Sequence, residues 1–151
     1  MSTLTVATEP LTQADVQALA ANWYRNLDVH APLGELLPML SDEDLEMRFP
    51  EATLHGFADF KSWYEGVIRI FLDEVHTLKQ VTVDLDGDQA QVKVVVHWEA
   101  STWKPPAAKS SRIKLDAYQT WTVRRSPESG QPVIAIYTVD RLAYEPDSAR
   151  L

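Results

Sequence analysis

Residues 41–72 most constrain what this chain can fold into. Two short extended segments, 45–50 and 52–56, run straight into an aromatic-rich helical pattern over 57–72. Phe60, Trp63, Tyr64, Val67 and Phe71 share one side of that helix, and Lys61, Glu65 and Arg69 form a polar stripe on it. An amphipathic helix precedes the unit. Thr12 reads as its N-cap with Asp15 three residues on, and Val16, Leu19, Ala20, Trp23, Tyr24 and Leu27 recur at helical spacing. Asp28, Val29 and His30 fall at its end, before Pro32. A short second helix is expected over 33–37, bent or ended by Pro38.

The second half alternates with the period of strands. Val81, Val83 and Leu85 lead into Asp86-Gly87, a two-residue hairpin signal. Ala90, Val92, Val94, Val96 and Trp98 then share a face, with Lys93, Val95, His97 and Glu99 on the other. Trp103-Lys104-Pro105-Pro106 breaks that strand, because proline cannot donate to a ladder. In the next, Ile113, Leu115, Ala117, Gln119, Trp121 and Val123 share a face. After a loop at 126–132, Ile134, Ile136, Thr138, Asp140 and Leu142 are assigned a common inward face. One apolar face per strand requires a covering layer. The expected fold is therefore α+β: a cone-shaped, curved antiparallel sheet packed on three helices from the N-terminal half and enclosing a pocket. A single domain over 1–151 is expected, with loose ends at 1–10 and 146–151.

Charge and residue usage exclude several functions. In 151 residues, 14 basic and 22 acidic side chains give a net charge of −8, which repels nucleic acid and anionic membranes. Cysteine is absent, so thiolate catalysis, disulfides and thiolate metal sites are excluded. The four histidines show no metal-ligand spacing, and neither a metal nor a cofactor is expected. No signal peptide and no membrane-length apolar run is visible, so a cytoplasmic protein is expected.

An acidic residue before Leu45-Glu46-Met47-Arg48-Phe49-Pro50, then His55-Gly56, the helix with Trp63-Tyr64, His76, the Asp86-Gly87-Asp88-Gln89-Ala90 hairpin and the closing Tyr137-Thr138-Val139-Asp140 form an ordered set. By these the chain resembles the nuclear transport factor 2-like superfamily, specifically its SnoaL-like branch, from about residue 11 to 144. The resemblance implies the cone fold and a homodimer. It does not imply one reaction, since such folds host isomerases, cyclases, dehydratases and binding modules. The isomerase-type members carry an aspartate base after the first short strand, where this chain has Phe49-Pro50. The epoxide-hydrolase pattern of an inward Arg-x-Asp is also absent.

Polar residues on apolar faces are the site candidates. His76 is the first choice for moving a proton, as resemblance to scytalone dehydratase-like members also implies, although its face matches that of Val81 and Val83 only if a bulge intervenes. Tyr24 or Gln119 would hold an oxyanion, although a tyrosine on such a face is more often core than catalyst, and Gln119 reads equally as a buried amide satisfied by backbone. Asp28, one turn beyond Tyr24, either contributes or merely ends the helix. Asp140, assigned inward, and His55, at the entrance, are further candidates for the substrate site. Phe49, Trp63, Trp98 and Trp121 are candidate walls. His97 is expected outside. Two functions remain open: a cofactor-free isomerase, cyclase or dehydratase acting on a small hydrophobic carbonyl compound, and a non-catalytic ligand-binding or dimeric partner domain.

Overall fold

The computed structural model describes residues 10–42, 44–103 and 109–151. Helix α1 (Gln13–Asp28) opens with the expected capping box: Asp15 N–H donates to Thr12 Oγ1 and Thr12 N–H to Asp15 Oδ2, both at 3.1 Å. Such a cap is worth about 1 kcal/mol. Val16, Leu19, Ala20, Trp23, Tyr24 and Leu27 are its buried stripe. His30 follows with a left-handed φ of 50° and turns the chain into α2 (Leu33–Leu36), which a 3-10 turn at Pro38 ends. Strands β1 (Glu46–Arg48) and β2 (Thr53–His55) pair antiparallel. Gly56, at φ 77°, then opens α3 (Gly56–Ile70), a junction that a side chain would strain.

Strand β3 (Phe71–Asp86) starts immediately after α3, so Phe71 and Leu72, expected to be helical, belong to the strand. It is followed by β4 (Gln89–Thr102), β5 (Ser111–Arg125) and β6 (Pro132–Tyr144). The sheet order is β2-β1-β6-β5-β4-β3. One expectation needs correction: β1 runs parallel to β6, so this open, curved sheet is mixed rather than wholly antiparallel. Its inner face, with Val92, Val94, Leu115, Trp121 and Ile134, packs on Trp23 of α1 and Phe60 of α3.

Bulges set which side chains face inward. Between Leu78 and Gln80 the register of β3 against β4 shifts, so His76 and Leu78 do share a face with Val81 and Val83. Two shifts in β6 overturn the simple alternation read there. Gln119 pairs with Val139 and Trp121 with Tyr137, whereas Tyr118 pairs with Arg141. Tyr137, Val139 and Leu142 therefore face inward, and Asp140 is exposed, accepting a hydrogen bond from Thr120 Oγ1 at 2.6 Å.

The chain end expected to be loose is anchored. Glu145 N–H donates to Lys114 O, Ala149 N–H donates to Arg112 O, and Leu151 reaches the cavity. The expected looseness of residues 1–9 and the Lys104-Pro105-Pro106 strand break lie outside the described residues. Among the described residues no helix is long and apolar enough to cross a membrane.

Candidate active site

Between the sheet and the two long helices lies a cavity of about 150 Å³. Phe49, Trp63, Val67, Phe71, Trp98 and Leu115 are among its apolar wall residues, and its polar lining includes Glu74, His76 and Gln119. Phe49 and Trp63 stack with centroids 4.5 Å apart, so Phe49-Pro50 forms a rigid apolar wall.

His76 owes its position to α1 as much as to β3. Asp28, the last residue of α1, accepts from the His76 backbone N–H at 3.1 Å through Oδ2 and meets the ring Nδ1 at 2.6 Å through Oδ1. A carboxylate only accepts, so the ring proton sits on Nδ1 and the Nε2 lone pair is left for a base's work. Tyr24 stacks on the imidazole at 4.8 Å and Trp98 lies on it at 6.0 Å, which limits ring rotation.

Gln119 is fixed by two donors. Tyr24 Oη donates to its Oε1 at 2.8 Å and Trp121 Nε1 donates to the same oxygen at 2.9 Å. Indole N–H can only donate, which settles the orientation of the amide. The Gln119 NH₂ is the end that these two donors leave unengaged, with the Tyr137 hydroxyl as a further neighbour of the amide. Burial pushes the Tyr24 phenol well above its ordinary range, with Tyr137 adding to the shift, so it stays a neutral donor.

Glu74 was not foreseen as a site residue. It is buried, lines the cavity, accepts from Trp98 Nε1 at 3.2 Å and meets His30 Nε2 at 2.5 Å. Burial raises its carboxyl above the ordinary glutamate range, and the His30 contact opposes that shift. Its signal in the sequence was alternation: Glu74 is two residues before His76 and therefore on the same face.

The structure brings His76, Gln119, Phe49, Trp63 and Trp98 together around the cavity, with Tyr24, Asp28 and Trp121 directly behind them. Tyr24 spends its hydroxyl on Gln119, which leaves the oxyanion role to the amide. His55 does not join them: it is exposed beside Glu46 on the β1–β2 edge. Asp140 is on the outer face. His97 is also outside, between Asp116 at 2.8 Å and Glu99 at 3.0 Å. Among the described residues, no group of three or more metal-ligating side chains is placed to hold an ion.

This arrangement of sheet, helices and cavity is the fold of the nuclear transport factor 2-like superfamily, as the sequence resemblance implied. The chain is similar to a candidate aromatic-ring hydroxylase from Novosphingobium aromaticivorans, with TM-score 0.74, 17% identity and 91% of this chain and 95% of that one covered. It is similar to a candidate scytalone dehydratase from the same organism, with TM-score 0.70, 18% identity and coverages of 91% and 88%. A third is the hexachlorocyclohexane dehydrochlorinase LinA-type3 of Novosphingobium barchaimii, with TM-score 0.71, 14% identity and coverages of 92% and 93%. No family model and no curated protein matches the sequence. At these identities the likeness concerns the fold alone.

Proposed function

We propose that this protein is a cofactor-independent enzyme that removes a proton from carbon in a compact, mainly apolar carbonyl compound and expels a neighbouring group, a dehydratase-type elimination. The observation that carries this reading is the Asp28–His76 pair at the edge of an apolar cavity. His76 Nε2 takes the proton, Asp28 fixes the tautomer and stabilises the imidazolium, and the Gln119 NH₂ donates to the carbonyl oxygen as negative charge develops there. The same residues would serve an isomerase or cyclase that begins with the same proton. A cavity of about 150 Å³ suits a ligand built on one ring, since a space of that order accommodates benzene.

Two of the similar structures are named for eliminations, loss of water and loss of HCl. The third is named for hydroxylation, so the choice rests on the dyad and not on the names. A domain that only carries a ligand has no use for a carboxylate-oriented histidine, which favours the enzyme over the binding module. The test is a panel of one-ring β-hydroxy and β-halo ketones incubated with wild type and His76→Ala. Turnover by wild type that falls at least about 100-fold in the variant is expected. Thermal stabilisation by several of these compounds without turnover of any would establish the carrier instead.

We also propose that the protein is a homodimer joined through the outer face of the sheet, where Val95, His97 and Tyr118 stand among threonines.

A further inference from the structure

The chain carries the pattern carboxylate-x-histidine twice, as Asp28-Val29-His30 where α1 ends and as Glu74-Val75-His76 in β3. The two pairs form crosswise. Asp28 holds His76, and His30 holds Glu74. Both second-segment residues, Glu74 and His76, line the same cavity and share Trp98 as a neighbour. The base proposed above accounts for one pair and leaves the other unused. That other pair includes a carboxyl group with a side chain only 4% exposed, placed against the ligand space.

Burial favours the protonated form of Glu74 and outweighs the opposing pull of His30, His76 and the Trp98 indole. The groups facing it are His30 from the turn after α1, His76 from its own strand, the Trp98 indole from β4 and the Tyr64 phenol from α3. Tyr64 Oη donates to Ala31 O at 2.6 Å, which keeps the His30 turn against α3. Among the described residues no lysine or arginine acts on the Glu74 carboxyl, so no permanently charged group there compels ionisation. His30 has a side chain 27% exposed, so it touches solvent at one end and Glu74 at the other.

We propose that Glu74 is a second catalytic residue of this cavity, the general acid that protonates a leaving hydroxyl group, with His30 returning the proton from solvent. The inference rests on the elimination reading and narrows it to dehydration. His76 Nε2 takes the hydrogen from the carbon beside the carbonyl, and the C–H electron pair becomes the new C=C bond. The C–O bond breaks with its electrons leaving on oxygen, which takes the proton of Glu74 and departs as water. Glu74 is left as carboxylate and His76 as imidazolium. His76 gives its proton to solvent, and Glu74 regains one through His30, so nothing else is consumed.

Chloride leaves without being protonated, and hydroxide does not. Glu74→Gln keeps the size and an acceptor but has no acidic proton. A β-hydroxy cyclohexanone and the matching β-chloro cyclohexanone give the same enone, read by its absorbance. The variant is expected to lose about 100-fold or more in kcat on the hydroxy ketone and to stay within a few-fold of wild type on the chloro ketone. Equal losses on both, or no loss on either, overturn the role of Glu74 while leaving His76 as base. Wild-type turnover of the chloro ketone alone also overturns it. If wild type converts only the hydroxy ketone, the pH profile decides: the role requires the limb that falls with rising pH to vanish in Glu74→Gln, and its persistence overturns it. Turnover of neither compound overturns the elimination reading itself, and this inference with it.

Discussion

Asp28 grips His76 twice, through the backbone N–H at 3.1 Å and the ring Nδ1 at 2.6 Å, across 48 residues of sequence. The double contact ties helix α1 to strand β3 at the point where chemistry is proposed. It fixes where the ring stands as well as which nitrogen carries the proton.

Asp28→Asn should therefore do more than remove a charge. An amide can turn its NH₂ toward Nδ1, which would move the ring proton to Nε2 and occupy the base. The expected loss in kcat is about 10²- to 10⁴-fold, with a small change in melting temperature, since the amide can still hydrogen-bond. Rates on a converted ketone, read beside a melting curve, check it.

Gln119 separates support from catalysis. Gln119→Leu leaves the Tyr24 hydroxyl and the Trp121 indole N–H without their acceptor in a buried place, at about 1–3 kcal/mol for each group. Gln119→Glu keeps an acceptor for both donors but loses the NH₂. The first variant should melt well below wild type. The second should fold, bind a ketone weakly and turn over slowly.

The outer face should give stability a pH dependence of its own. The hydrogen bond to Asp116 raises the His97 pKa above its ordinary 6.5, with burial opposing and Glu99 adding to the rise. A raised pKa means that the fold favours the protonated ring. Its contribution is complete below 6.5 and disappears as pH rises through the higher folded value. Asp116 is itself held below its ordinary 3.8, first by Lys79 and then by His97, so the charged pair is complete from 6.5 down to 3.8. The melting deficit of His97→Gln should be largest between those limits and should close in alkali, as scanning calorimetry at several pH values would show.

Association through the sheet predicts twice the chain mass in solution at micromolar concentration. Sedimentation equilibrium measures it, and an arginine at Val95 should shift the mass toward the monomer.

Most of the architecture was legible because each element carries its own local signal. Thr12 and Asp15 cap α1, Asp86-Gly87 turns β3 into β4, and the period-two faces of β4 and β5 are borne out residue by residue. The bulges decided the rest. The need for one near His76 could be seen from the clash of two face assignments in the same strand. Those in β6 leave no such clash, because apolar residues stand at both parities there, Ile134, Ile136 and Leu142 on one and Val133, Tyr137 and Val139 on the other, which is how Asp140 comes to look inward. The parallel pairing of β1 with β6 is a contact between distant segments that no local pattern encodes. Glu74 escapes notice for a related reason: a glutamate at the foot of a strand looks like surface until the turn after α1 supplies His30.

Placing Glu74 and His76 on a single strand has a stereochemical corollary. Side chains two residues apart on β3 project to the same side of the sheet, so a ring lying in the cavity meets both from one flank. Hydrogen and hydroxyl would then have to depart from the same face of that ring. A substrate deuterated on the face that bears the hydroxyl would lose its label, and its mirror-labelled counterpart would carry the label into the alkene.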